Sequence, residues 1–167
     1  MSQAVVERTR TIAWKDPREL AEAGRSLSGL EFLQKIASGE LAPPPVGIVL
    51  NFALEEVSEG RVVFTFEPAE YHYNPIGVVH GGVTATLLDS ALGSAVHSTL
   101  PTGTSYTTLE IKVNYVRAIT IETGKVRCEG KVIHLGGRTA TAEGRIVDHE
   151  GKLYAHATTT CLIFRGS

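Results

Sequence analysis

Apolar positions along the chain change their period as it proceeds. Residues 1–15 are polar with scattered apolar residues and no clear period, an arm expected either to be disordered or to lie on a partner subunit. Asp16-Pro17-Arg18-Glu19 supplies an N-cap, a proline at the first helical position and an acid at the third, so a short helix is expected to about Ala23. Ser28-Gly29-Leu30-Glu31 repeats the capping pattern. Leu30, Leu33 and Ile36 then recur at helical spacing until Gly39 supplies a stop, and Pro43-Pro44-Pro45 hands the chain over in an extended conformation.

From Val46 the period reads as strand. Segments 46–57 and 61–67 are separated by the hairpin-like turn Ser58-Glu59-Gly60. A long run of small and apolar residues, 81–99, reads as one helix. Segment 105–116 then alternates, with Thr107, Leu109, Ile111, Val113 and Tyr115 on one face and Thr108, Glu110, Lys112 and Asn114 on the other. Segments 125–135, 138–148 and 152–164 read as three further strands joined by Gly136-Gly137 and by Asp148-His149-Glu150-Gly151. A single apolar helix between a strand pair and a later run of strands must be covered on nearly all sides. One antiparallel sheet curling around it does that, which makes the fold class α+β.

The 167 residues suit one domain, long enough to bury roughly 70% of the unfolded surface. A net charge of −2 argues against nucleic acid or an anionic membrane as the main partner. Cys128 and Cys161 fall in strand-like runs without metal-ligand or CxxC spacing and are expected as free buried thiols. The N-terminus has no apolar signal region, and the apolar helix carries a charge and too many Gly, Ser and Thr residues for a membrane span, so a cytoplasmic location is expected.

The one charge in that helix, Asp89, is the candidate for chemistry. Its helical neighbours Gly82, Ala85, Thr86, Leu92, Gly93 and Val96 are mostly small or uncharged, and no Lys or Arg occurs between Glu70 and Lys112 to pair with it. Ahead of it, Asn74-Pro75 and the glycines at 77, 81 and 82 form a turn-rich entry that brings bare N–H groups to the helix N-terminus, where a developing oxyanion would be stabilised. The competing reading is that the glycines only permit close helix–sheet packing and Asp89 is a buried, hydrogen-bonded aspartate.

Asn74-Pro75, His80-Gly81-Gly82 and Asp89, in the form N-P-x4-H-G-G-x6-D, resemble the hotdog-fold acyl-CoA thioesterases, specifically the PaaI-like and 4-hydroxybenzoyl-CoA thioesterase group. The resemblance covers roughly residues 47–164, and implies an N-terminal arm with short helices over 1–46 and a hotdog thioesterase domain over 47–167. It implies Asp89 as general base or nucleophile, Gly81 N–H as oxyanion donor, Asn74 near the attacking water or carbonyl, and His80 fixing the turn. It also implies Thr108 as a hydroxyl positioning water, although other members place that hydroxyl four residues after the acid, where this chain has Gly93. Arg117, Arg138 and Lys112 are the candidates for the coenzyme A phosphates. His134, His149 and His156 read as structural, and Tyr71, Tyr73 and Trp14 as packing groups, with the two tyrosines near enough to the motif to line an acyl pocket.

Activity on an aromatic or medium-chain acyl-CoA is implied, with no cofactor beyond the coenzyme A of the substrate and no metal. The partner set is acyl-CoA and a homo-oligomer, a dimer or dimer of dimers. Independently of the resemblance, Gly81 and Asp89 stand eight residues apart, about 12 Å along one helix, so one carbonyl cannot reach both on the same chain; two antiparallel helices would share each site. Two other functions fit less well: a hydratase or dehydratase of the same fold, with His72 or His80 paired to the acid, and a non-catalytic acyl-CoA binder.

Overall fold

The computed structural model describes residues 7–165. Three short helices come first: α1 (Pro17–Gly24), α2 (Gly29–Ala37) and α3 (Pro45–Leu50). Both expected caps form. Asp16 Oδ1 accepts from the Arg18 N–H at 2.9 Å, and Ser28 and Glu31 close a reciprocal box in which the Ser28 N–H donates to Glu31 Oε2 at 2.9 Å.

Helix α3 corrects the expected strand over 46–57. Its run of Val, Ile and Leu resembles a strand, but Pro45 at the first helical position has a backbone angle suited to a helix and needs no N–H partner there. Asn51, at φ 57, ends the turn in the left-handed region that asparagine tolerates, and its side-chain amide donates to the Glu67 carbonyl at 3.1 Å. Strand β1 (Phe52–Ser58) therefore starts only afterwards.

Strands β2 (Arg61–Phe66), β3 (Thr104–Tyr115), β4 (Val126–Leu135), β5 (Thr139–Val147) and β6 (Leu153–Arg165) complete one antiparallel sheet in the order β1-β2-β4-β5-β6-β3. The long helix α4 (Gly81–His97) crosses it and ends two residues earlier than its apolar run suggests, with Ser98 as its C-cap. Leu87, Leu88, Ala91, Leu92, Ala95 and Val96 on α4 are at most 1% exposed, so the helix fills the sheet, the hotdog arrangement. Gly130 and Gly144, paired across β4 and β5, let α4 settle close: a Cβ on Gly130 would stand 2.3 Å from the Ala91 carbonyl oxygen.

Strict alternation fails in β3. A bulge between Thr108 and Glu110 leaves Leu109 56% exposed, so Tyr106 and Thr108 face α4 before it and Ile111 and Val113 face inward after it. Thr107 and Leu109 are thus not on the core face, and Thr108 is not on the outer one.

Within the described part of the arm, Arg10 docks on its own chain. The Arg10 guanidinium donates to the Val49 and Ile48 carbonyls at 2.7 and 2.8 Å and lies 4.1 Å above the Tyr71 ring, where it meets the C-terminal end of α3. Residues 1–6 of that expected arm lie outside the described residues. Trp14, expected to pack, is 55% exposed. Cys128 and Cys161 are free and buried, and burial pushes both thiols above their ordinary pKa. Among the described residues no helix is long and apolar enough to cross a membrane.

Candidate active site

The entry to α4 is built by its own turn residues. Asn74 Oδ1 accepts from the Ile76 and Val78 N–H groups at 3.1 and 3.3 Å, and the Asn74 N–H donates to the Val78 carbonyl at 2.8 Å. Tyr73 bridges Val79, and the Val79 N–H donates to the Ile119 carbonyl at 2.9 Å, which anchors the loop to the segment after β3. His80 is the N-cap: its Nδ1 accepts from the Gly82 N–H at 2.9 Å and its carbonyl accepts from Val83 and Thr84. That bond requires an unprotonated Nδ1.

Gly82, Val83 and Thr84 are thereby satisfied. Among the described residues no acceptor meets the Gly81 N–H, which stands at the positive end of the helix dipole. The Tyr115 hydroxyl donates to the Gly81 carbonyl at 2.9 Å, and its ring lies 3.3 Å from where a Gly81 Cβ would be, so the glycine makes room for the ring. Asn74, Gly81, Thr84, Tyr115 and Arg117 line a cleft of about 290 Å³.

Asp89 is half-buried on α4, and the Thr108 hydroxyl donates to its Oδ1 at 2.9 Å. The bulge at Leu109 aims Thr108 there. The bond orients the carboxylate and leaves Oδ2 to meet water or a carbonyl carbon. Gly93 carries no hydroxyl, but the space beside it is taken by one: a Gly93 Cβ would stand 2.7 Å from Tyr106 Oη. Burial above all, then the charges of Cys161 and Asp89, raise the Tyr106 pKa, so its hydroxyl remains a donor.

The structure thus gathers Asn74, His80, Gly81 and Arg117 at one end of α4 and Asp89 with Thr108 further along. Of the three phosphate candidates, only Arg117 lines the cleft at Gly81, its guanidinium donating to the Leu153 carbonyl. Lys112 is exposed at an outward position of β3 and Arg138 is exposed in the β4–β5 connection. His134, His149 and His156 are exposed. His72, the other histidine near the motif, is buried against Phe66 with its Nδ1 accepting from the Ala69 N–H at 3.0 Å, and desolvation lowers its pKa. Tyr115 and Tyr106 were missed from sequence as site residues. Their signal is position: one ends the apolar stripe of β3, and the other lies two residues before Thr108. Among the described residues no group of three or more His, Cys, Asp or Glu side chains could hold a metal ion.

The antiparallel sheet filled by α4 is the hotdog fold, and the chain belongs to the Thioesterase superfamily, whose sequence pattern matches residues 76–155. It is a hydrolase of thioester bonds. A protein of Archaeoglobus fulgidus that bears an esterase name is 30% identical over 112 residues, 67% of this chain and 70% of that one. The 1,4-dihydroxy-2-naphthoyl-CoA hydrolase of Escherichia coli K12 is 29% identical over 135 residues, 80% of this chain and 93% of that one. A hypothetical thioesterase of Streptococcus pneumoniae TIGR4, solved with coenzyme A, aligns with a TM-score of 0.63 at 28% identity, covering 70% of this chain and 89% of that one.

Proposed function

We propose that the protein hydrolyses acyl-CoA thioesters to free acid and coenzyme A, with aromatic or medium-chain acyl groups preferred. The observation that carries this reading is the Asp89 carboxylate held by Thr108 on a half-buried face of α4. The coenzyme A bound to the Streptococcus pneumoniae protein and the name of the Escherichia coli relative support the substrate class.

Two copies build each site. Gly81 and Asp89 lie about 12 Å apart along α4, too far for one carbonyl to touch both. Strand β3 supports the pairing: it lies at the sheet edge, 12 residues long, with only β6 beside it among the described residues. A long uncovered edge invites another strand. Pairing with the β3 of a second copy about a two-fold axis would set two α4 helices antiparallel, the N-terminus of each beside the acid of the other.

In that arrangement Asp89 takes a proton from water as the water oxygen bonds to the thioester carbon. The oxyanion is held by the partner's Gly81 N–H; its collapse breaks the C–S bond and the thiolate leaves with a proton. Direct attack by Asp89, giving a mixed anhydride that water then opens, uses the same groups. Arg117, beside Gly81, takes a phosphate of the coenzyme.

A thiol-release screen over aromatic, short and long acyl-CoAs tests the proposal, with Asp89→Asn as control. Release by the native chain and its loss in the variant are expected. Tight binding without release from any acyl-CoA would support a binding protein instead, and a change in enoyl absorbance a hydratase.

A further inference from the structure

Cys161 on β6 stands directly opposite Thr108 on β3, the last pair before the bulge at Leu109. Side chains paired in this way have Cβ atoms about 4.5–5.5 Å apart. Both point toward α4: Cys161 is fully buried, and the Thr108 hydroxyl donates to Asp89 Oδ1 at 2.9 Å. On its other side Cys161 faces Ala140 of β5, whose methyl group accepts no hydrogen bond. Two residues earlier on the same face of β6, Thr159 donates its own hydroxyl proton to the Glu110 carbonyl at 2.6 Å. The thiol is thus set among apolar groups and two hydroxyls.

Cys161 keeps its proton there. Burial pushes the thiol above its ordinary pKa; the Thr108 and Thr159 hydroxyls act the other way as hydrogen-bonding neighbours, and the charges of Asp89 and Glu110 push it up further. A neutral thiol is a weak donor, and Thr108 offers it an acceptor: a hydroxyl that gives its one proton away keeps both lone pairs. Because that proton goes to a carboxylate, the Thr108 oxygen is the more polarised of the two and the better acceptor.

We propose that Cys161 is a positioning residue for the hydrolysis, its S–H donating to Thr108 Oγ1 so that two hydrogen bonds in series, thiol to hydroxyl and hydroxyl to carboxylate, hold Asp89. The inference rests on the proposed action of Asp89 on the thioester. The bulge leaves Leu109 without a partner on β6, so the ladder is interrupted just after Thr108. The thiol supplies the constraint at that point, tying the hydroxyl of the edge strand β3 to the inner strand β6.

The test compares Cys161→Ala and Cys161→Ser in the full chain by thiol release from the acyl-CoA that the native chain turns over fastest. Cys161→Ala should lower kcat roughly 2–10-fold, the effect of one neutral hydrogen bond, with KM unchanged. Cys161→Ser, which puts a donor back in the same place, should recover most of the loss. A residue that only packs would rank the two the other way, since a serine in an apolar site is the costlier replacement. In a Thr108→Val background, where the acceptor is gone, Cys161→Ala should cost nothing further. An unchanged kcat in Cys161→Ala, no recovery in Cys161→Ser, or an equal loss in the Thr108→Val background overturns the proposal. Infrared spectroscopy of the S–H stretch gives a readout that needs no turnover and no cysteine variant. The chain has two thiols, and that of Cys128 donates to the Leu87 carbonyl, away from Thr108. One of the two native S–H bands should therefore move to higher frequency in Thr108→Val. If no thioester is turned over, the hydrolytic reading fails by itself and this band still decides: its shift upholds the thiol–hydroxyl bond, and two unmoved bands overturn it.

Discussion

Replacing Gly130 by alanine probes the contact that sets α4 in the sheet. The added Cβ would lie 2.3 Å from the Ala91 carbonyl oxygen, 2.5 Å from its carbon and 2.9 Å from the Leu92 nitrogen, all backbone atoms that no rotamer change can move. Ordinary contact begins near 3.4 Å, so α4 must rise from β4 by about 1 Å. Overpacking of this kind costs typically 1–3 kcal/mol. The lost flexibility of the unfolded chain returns about 0.4–1 kcal/mol, too little to offset it. The central net cost is then about 1.3 kcal/mol, and a domain of this size loses about 2–4 °C per kcal/mol, so a drop in Tm of roughly 3–5 °C is expected. Ala91 is two residues from Asp89, and a 1 Å misplacement of a reacting group can cost about 10²-fold, so kcat should fall more steeply than stability. Thermal melting followed by calorimetry, with thiol release at a temperature where the variant is fully folded, reads both. A Tm within 1 °C of the native value and an unchanged kcat would refute the packing argument.

Thr108→Val keeps the shape and removes the hydroxyl bonded to Asp89; kcat should fall roughly 10–100-fold with folding intact, checked by thiol release and melting. Asp89→Asn should lose 10²-fold or more while still binding an inert thioether analogue, as measured by calorimetry. Single-turnover hydrolysis in ¹⁸O-water should label Asp89 only if an anhydride forms and water attacks its aspartyl carbonyl; peptide mass spectrometry distinguishes this from the general-base route. His72 and His97 have pKa values lowered by desolvation, so the unfolded chain binds more protons than the native one below about pH 6.5, and Tm should fall as pH drops from 7 toward 5. His97→Leu should flatten that slope in a pH series of melting curves.

What could be read from sequence was whatever local chemistry controls. The caps at Asp16 and Ser28, the turn at Gly60 with φ +74 and the strands β4 to β6 with the turns between them each depend on a few adjacent residues. Helix α3 was misread because the five residues after Pro45, four of them Val, Ile or Leu, satisfy strand and helix patterns alike, and only the left-handed Asn51 separates them. The bulge at Leu109 was hidden for a different reason. It is set by the register against β6, with Thr108 opposite Cys161 and Glu110 opposite Thr160, and pairing between distant strands leaves no mark in a local period. The docking of Arg10 on α3 and Tyr71 was likewise beyond reach, since an isolated arginine in a polar arm has no pattern. At the candidate site, Asp89 stood out as the one charge in an apolar helix, whereas Tyr106 and Tyr115 gain their places only when β3 lies beside α4.

The sharing of each site between two chains is tested most directly by mixing two damaged proteins. Asp89→Ala removes the carboxylate and leaves the entry to α4. Asn74→Ala removes the side chain that holds that entry loop through Ile76 and Val78 and leaves Asp89. Each variant alone should be inactive. After co-expression or joint refolding, a mixed dimer carries one complete site and one with both groups missing, so random pairing should restore roughly a quarter of native thiol release. No recovery in verified mixed dimers would contradict the account and place both groups within one chain.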